Sequence, residues 1–214
     1  MLWDLRNKER NEAAAAAAAV ADAGQIIPTK ILRKFLASLT LRESPVLMDL
    51  GPVVGSNVTF LGERLGCKII LEDIFGDLER YPKNSETPLA EYLKTRLKHQ
   101  AGTVDGILCW NLFDFLDLAS AQALASSLKN VLRTDGFLLA FFATIASTDA
   151  RFAKFIITGE DAVKQKPYSP VGRKQTALQN RDIIRIFDGL KVAESFLLKQ
   201  NIREFLFRKP GSQI

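Results

Sequence analysis

The order of apolar and polar positions predicts alternating helices and strands. Pro28 is expected to open a helix with Ile31, Leu32, Phe35, Leu36 and Leu39 on one stripe. Residues 46–50 (VLMDL) then read as a short buried strand ending at Gly51. Asn57 is expected to cap a helix carrying Phe60, Leu61 and Leu65, which Gly66 closes. Residues 68–72 (KIILE) form a second strand, with Glu72 and Asp73 at its carboxyl end. Strand, glycine turn, helix and strand within about thirty residues make a βαβ unit.

Residues 75–88 look irregular. Leu89, Tyr92, Leu93 and Leu97 then mark an amphipathic helix, and residues 104–110 (VDGILCW) another strand. A helix from about Ser120 presents Leu124, Leu128, Val131 and Leu132. Thr134, Asp135 and Gly136 turn the chain into the very apolar strand 137–143, expected to be covered on both faces. The stretch 144–179 carries few signals. Asn180 caps a helix with Ile183, Ile184 and Phe187. Residues 190–198 and 201–208 read as two strands whose short connection implies antiparallel pairing. The pattern therefore predicts an α/β fold, a doubly wound and mostly parallel sheet ending in a C-terminal antiparallel hairpin. Residues 46–50 are placed in the middle of that sheet.

Composition narrows the picture. The chain has 214 residues, 47% hydrophobic and 25% charged, which suits one globular domain. No apolar run approaches the roughly 20 residues of a membrane span. Residues 4–12 balance in charge, and 13–19 is an alanine run, so the start does not read as an export signal. Residues 1–27 are expected to form an Ala-rich helical arm, ended by Gly24 and able to meet a protein partner. Residues 28–214 make the single main domain. Two cysteines, Cys67 and Cys109, offer no disulfide framework, and a cytoplasmic location is expected. The one histidine, His99, leaves neither a histidine metal site nor a Ser-His-Asp triad, and reads as a solvated residue at a helix end. No metal ligand set is visible. Residues 1–150 hold 16 Lys+Arg against 18 Asp+Glu, and residues 151–214 hold 13 against 6. The basic balance lies in the last third, which suits an anionic partner or a merely solvated surface.

Particular residues carry a resemblance. Residues 48–55 (MDLGPVVG) resemble the first motif of the class I S-adenosylmethionine (SAM)-dependent methyltransferases, an acid, any residue, then Gly-x-Gly-x-Gly. Glu72 resembles the acid ending that family's second strand, residues 104–111 (VDGILCWN) its fourth-strand motif, and residues 128–139 its entry into the fifth strand. The terminal hairpin is also how that family finishes its sheet. The likeness spans about residues 44–208. It is greatest to a divergent bacterial branch, which shares the Leu-Gly-Pro start, the Glu-Asp pair, the Cys-Trp-x-Leu-Phe-Asp segment and the Asn-Arg-Asp-Ile helix.

The resemblance implies SAM as cofactor, held by Asp49, Gly51, Gly55, Ser56 and Asn111. Glu72 would accept the ribose hydroxyls, with Asp73 as the alternative. Asp114 is the candidate general base, while Trp110, Tyr168 and Arg173 are candidates for a substrate rim. Core packing is the competing reading for Trp110, and a helix-entry acid for Asp114. The family usually has glycine where this chain has Val53, and Pro52 removes a backbone donor from the turn. The sequence therefore points to methyl transfer to an unidentified, anionic acceptor. The alternative is a catalytically impaired methyltransferase-like scaffold or assembly protein. Nucleic acid is a weaker candidate acceptor, because one tyrosine makes a thin stacking platform. A nicotinamide-binding protein would need Gly-x-Gly-x-x-Gly after the first strand, which is absent.

Overall fold

A computed structural model describes residues 24–82, 84–170 and 173–211. The arm expected over residues 1–23 lies outside them. Six strands form the main sheet in the order β3-β2-β4-β5-β9-β8. They are β2 (Val46–Asp49), β3 (Lys68–Leu71), β4 (Val104–Trp110), β5 (Leu132–Ala143), β8 (Lys191–Leu197) and β9 (Ile202–Arg208). β3, β2, β4 and β5 run parallel, and β9 lies antiparallel between β5 and β8. β2 is internal but second from one edge, because only β3 lies beyond it. The middle belongs to β4 and β5. Every residue of β4 is buried, Asp105 included, whose carboxylate is met by Arg42 and Arg133.

Six helices cover the sheet: α1 (Leu32–Thr40), α2 (Gly55–Leu65), α3 (Ile74–Arg80), α4 (Leu89–Arg96), α5 (Leu118–Val131) and α6 (Asn180–Ile186). Successive strand residues point to opposite faces, so the sheet divides two cores. Met48, Ile107 and Leu138 pack with α3 to α6 on one side. Leu47, Leu108 and Leu139 pack with α1 and α2 on the other.

Several expectations need correction. Pro28 ends a strand, β1 (Gln25–Pro28), and the helix begins at Leu32. β1 is an edge strand, where a missing N–H costs little. The boundary drawn at residue 28 thus falls inside β1. Asn57 lies within α2 and is buried, while Val54 holds the cap position. Residues 74–80 are helical rather than irregular, because the Asp73 carboxylate accepts the Gly76 N–H (3.0 Å) and caps α3. The strand expected from residue 137 already begins at Leu132, and Asp135 adopts φ +62° within it.

The largest correction concerns 144–179. Its first part folds as a hairpin of two nine-residue strands, β6 (Arg151–Gly159) and β7 (Ala162–Pro170). With β1 they form a second, three-stranded antiparallel sheet in the order β1-β7-β6. This sheet sits over the carboxyl ends of the main strands, tied down by one side chain. Asn57 Nδ2 donates to Phe155 O (2.7 Å), and Ile157 N donates to Asn57 Oδ1 (2.8 Å). The amide so pairs with the free edge of β6 as another strand would. Asn57→Ala would leave a buried carbonyl and a buried N–H unpartnered, and should cost about 2–3 kcal/mol. Urea unfolding measures this, and a loss below about 0.5 kcal/mol would show that the amide does not hold the hairpin.

Candidate functional site at the carboxyl edge

β2 ends in Asp49, whose carboxylate is buried among the turn that follows. Asp49 Oδ1 accepts two hydrogen bonds, from Gly51 N (2.8 Å) and from Trp110 Nε1 (2.7 Å). Burial pushes its pKa up to about 6; the two bonds oppose that rise, and the charge of Asp73 adds to it. A Cβ at Gly51 would sit 2.7 Å from Trp110 Cδ1, so the indole enforces glycine there. Nothing lies within 4 Å of the corresponding position at Gly55, and Ser56 is exposed in the first turn of α2. Val53 is 54% exposed, so the turn carries its β-branched residue outward.

Trp110 does not line a rim. It is 2% exposed and takes φ +51°, which aims its indole back over Gly51. Phe155 of β6 stacks on it with ring centres 5.2 Å apart and planes 2° from parallel. Phe141 flanks it at 6.0 Å.

The adjacent acids part company. Glu72 turns to Arg96, whose Nη1 lies 2.7 Å from Oε2, and to His99, which meets Oε1. His99 is thus a partner of Glu72 rather than a solvated residue. Asp73 takes φ +37° and faces the site. It is close enough to Asp49 and to the Tyr168 hydroxyl for its charge to push both upward. Glu72 is thus committed to Arg96 and His99, while one oxygen of Asp73 caps α3.

The 3-10 turn Leu112–Phe115 after β4 places Asn111 and Asp114, both buried. Asp114 Oδ2 accepts from Ala143 N (3.0 Å) and Gln175 Nε2 (3.4 Å). Its Oδ1 and Asn111 Oδ1 are buried without a hydrogen-bond partner. Burial pushes Asp114 up to about 8, against the pull of those two bonds. Gln175 was not foreseen. It also accepts from Ser147 N (3.0 Å), so it ties two loops to Asp114, and no periodicity marks it in the sequence.

The hairpin supplies aromatic contacts. Phe152 meets Phe75 (5.1 Å) and Phe115 (4.9 Å) edge to face. Tyr168 is half-buried beside Phe152, with Lys154 Nζ 5.4 Å from its ring centre. Arg173 lies apart from Tyr168's ring: its Nε donates to Leu78 O (3.3 Å) and its guanidinium covers Tyr81. There it borders a cavity of about 540 Å³ with Leu78, Pro82 and Phe152. Among the described residues no cluster of three or more His, Cys, Asp or Glu side chains suits a metal ion. No helix among them is long and apolar enough to cross a membrane.

No protein-family model and no curated protein matches the chain in sequence. Among solved structures it is similar to an S-adenosylmethionine-dependent methyltransferase from Clostridium acetobutylicum. The TM-score is 0.51 at 12% identity, over 86% of this chain and 93% of that one. This is the class I methyltransferase fold. Two further similar structures score lower. Burkholderia thailandensis 1,6-didemethyltoxoflavin-N1-methyltransferase, with bound S-adenosylhomocysteine (SAH), gives 0.47 at 12% identity over 97% and 88% of the two chains. Human N-acetylserotonin methyltransferase in complex with SAM gives 0.48 at 13% over 85% and 52%.

Whether the edge suits SAM divides into groups and space. The groups are present: carboxylates at Asp49 and Asp73, and an unpartnered buried oxygen at Asn111. The space beside Gly51 is not, because the Trp110 indole fills it. A ligand entering the turn would have to displace that indole.

Asp114 makes the edge sensitive to pH. Its pKa rises from 3.8 unfolded to about 8 folded, so between those values the folded chain keeps a proton that the unfolded chain releases. Stability is therefore complete below about pH 4 for this group, and is lost as pH rises through about 8. Asp49 acts in the same direction over a narrower window, up to about 6. Melting temperatures between pH 5 and 9 should fall for the unaltered chain and fall less for Asp114→Asn. Equal slopes would remove Asp114 from this role.

Proposed function

We propose that the chain binds SAM across the carboxyl ends of β2 and β4 and transfers its methyl group to a small, anionic acceptor. One observation carries the reading: this fold gathers Asp49, Asp73 and the unpartnered Asn111 oxygen at one sheet edge, where α/β sheets bind ligands. When bound, SAM supplies an activated methyl on a sulfonium, so the protein's task is alignment and exclusion of water. Asp49 is suited to an ammonium, Asp73 to ribose hydroxyls, and Asn111 to a donor of either ligand. Asp114 holds a proton at neutral pH and releases it near pH 8, within reach of a base acting on a weakly acidic acceptor. The β6–β7 hairpin excludes water. Lys154 and Arg173 on its side of the edge favour negative charge on the acceptor. Tyr168 is occupied by Phe152 and Lys154, which speaks against a nucleic-acid stacking platform.

A second reading has its own support. The indole on Asp49, with Pro52 and Val53 in the turn, favours a methyltransferase-like body that serves assembly instead of catalysis. Calorimetric titration with SAM and with SAH separates the two. Binding is expected, and Asp73→Ala should weaken it by about 1–3 kcal/mol, roughly five- to a hundredfold, through lost hydrogen bonds to charge. Glu72→Ala should affect binding less and stability more, since its partners are Arg96 and His99. Absence of heat at millimolar ligand gives the second reading the lead.

A further inference from the structure

We infer that Trp110 and Phe155 form a latch which closes this site with the chain's own side chain, and that a ligand carrying an ammonium group opens it. The inference rests on the reading above. Trp110 Nε1 occupies the Asp49 oxygen that such an ammonium needs (2.7 Å). Its ring fills the space over Gly51, with Cδ1 and Nε1 at 2.7 and 2.8 Å from the position of a Cβ there. A face of the same indole is covered by Phe155, so the ring whose edge blocks the turn also fastens β6. Closure of the turn and closure of the hairpin are therefore one event.

The backbone is set for two positions. A bulky residue at φ +51° sits in a backbone region that L side chains rarely adopt. Trp110 is neither in a two-residue hairpin turn nor at a helix end of the αL type. The conformation is sustained by the indole's bond to Asp49 and its stacking on Phe155 and Phe141. Without those contacts, relaxation to negative φ swings the side chain away from Gly51. An ammonium is the group that replaces the indole N–H best, because it brings a full positive charge to a carboxylate that the indole meets only with a neutral donor. A neutral ligand of the same size lacks that advantage. β6 keeps other holds: Asn57 bonds Phe155 O and Ile157 N, and Phe152 packs on Phe75 and Phe115.

The test uses the full chain with SAH as ligand and two variants, Trp110→Ala and Phe155→Leu. Phe155→Leu removes the stack without touching the turn, and serves if Trp110→Ala fails to fold. Amide hydrogen exchange of residues 152–157 should quicken at least tenfold in either variant, and SAH should bind at least tenfold more tightly. In a Trp3→Phe background, where Trp110 is the sole tryptophan, added SAH should shift its emission to the red. Unchanged exchange in both variants overturns the latch. So does tight SAH binding by the unaltered chain with no change in Trp110 emission, an outcome that leaves the SAM reading standing. Faster exchange with no SAH binding by any of the proteins supports the latch and defeats the SAM reading instead.

Discussion

The carboxyl edge is organised by one carboxylate with no water to solvate it. Asp49 ends a strand buried on both faces, so its charge needs donors from the protein. Gly51 N and Trp110 Nε1 supply them. To deliver the second donor the chain must reverse its twist at residue 110 and keep residue 51 without a side chain. The indole then presents a flat apolar face upward, and Phe155 covers it. A strand, a turn, an aromatic plug and a covering hairpin follow from satisfying one oxygen.

That dependence explains what the sequence discloses and what it hides. The strands at 46–49, 68–71 and 104–110 are legible because each carries a cluster of Val, Ile, Leu or Met bounded by turn residues. The hairpin is not legible because β7 (AVKQKPYSP) contributes few apolar residues, and β6 breaks alternation with a bulge between Phe152 and Ala153. α3 is hidden because Asp73 looks like the end of a strand, whereas its side chain starts a helix. The site divides in the same way. Asp49 and Gly51 lie at the carboxyl end of β2 and Asn111 at that of β4, positions the strand pattern alone discloses. The choice between Glu72 and Asp73 depends on Arg96 and His99, which lie 24 and 27 residues downstream and are invisible locally. The direction of Trp110 depends on its backbone angle, and residue type alone does not reveal it.

The edge also carries less negative charge than its residues suggest. Burial pushes Asp114 up to about 8, so that it keeps its proton at neutral pH, and pushes Asp49 up to about 6. Glu72 is neutralised by Arg96. Asp73 is left as the main charge facing the site, beside the cations of the hairpin side. A ligand with a cationic and an anionic end would meet complementary charge at both, which is the electrostatic requirement for binding SAM and an acidic acceptor together.

Glu204 of β9 has a bearing on how the molecule is made. It is fully buried and accepts from Thr29 Oγ1 (2.6 Å) and Lys30 N (2.8 Å), just ahead of α1 and across 175 and 174 residues of chain. On a ribosome, therefore, Thr29 and Lys30 ahead of α1 do not meet this carboxylate until residue 204 has emerged. β5 likewise lacks its neighbour until β9 inserts beside it, since β9 arrives after β8 but lies between them. Joining the two ends is then a late step of folding, and contacts of such long range slow it. A nascent chain stalled before residue 204 would expose an open sheet edge, a surface that chaperones bind and that aggregation exploits.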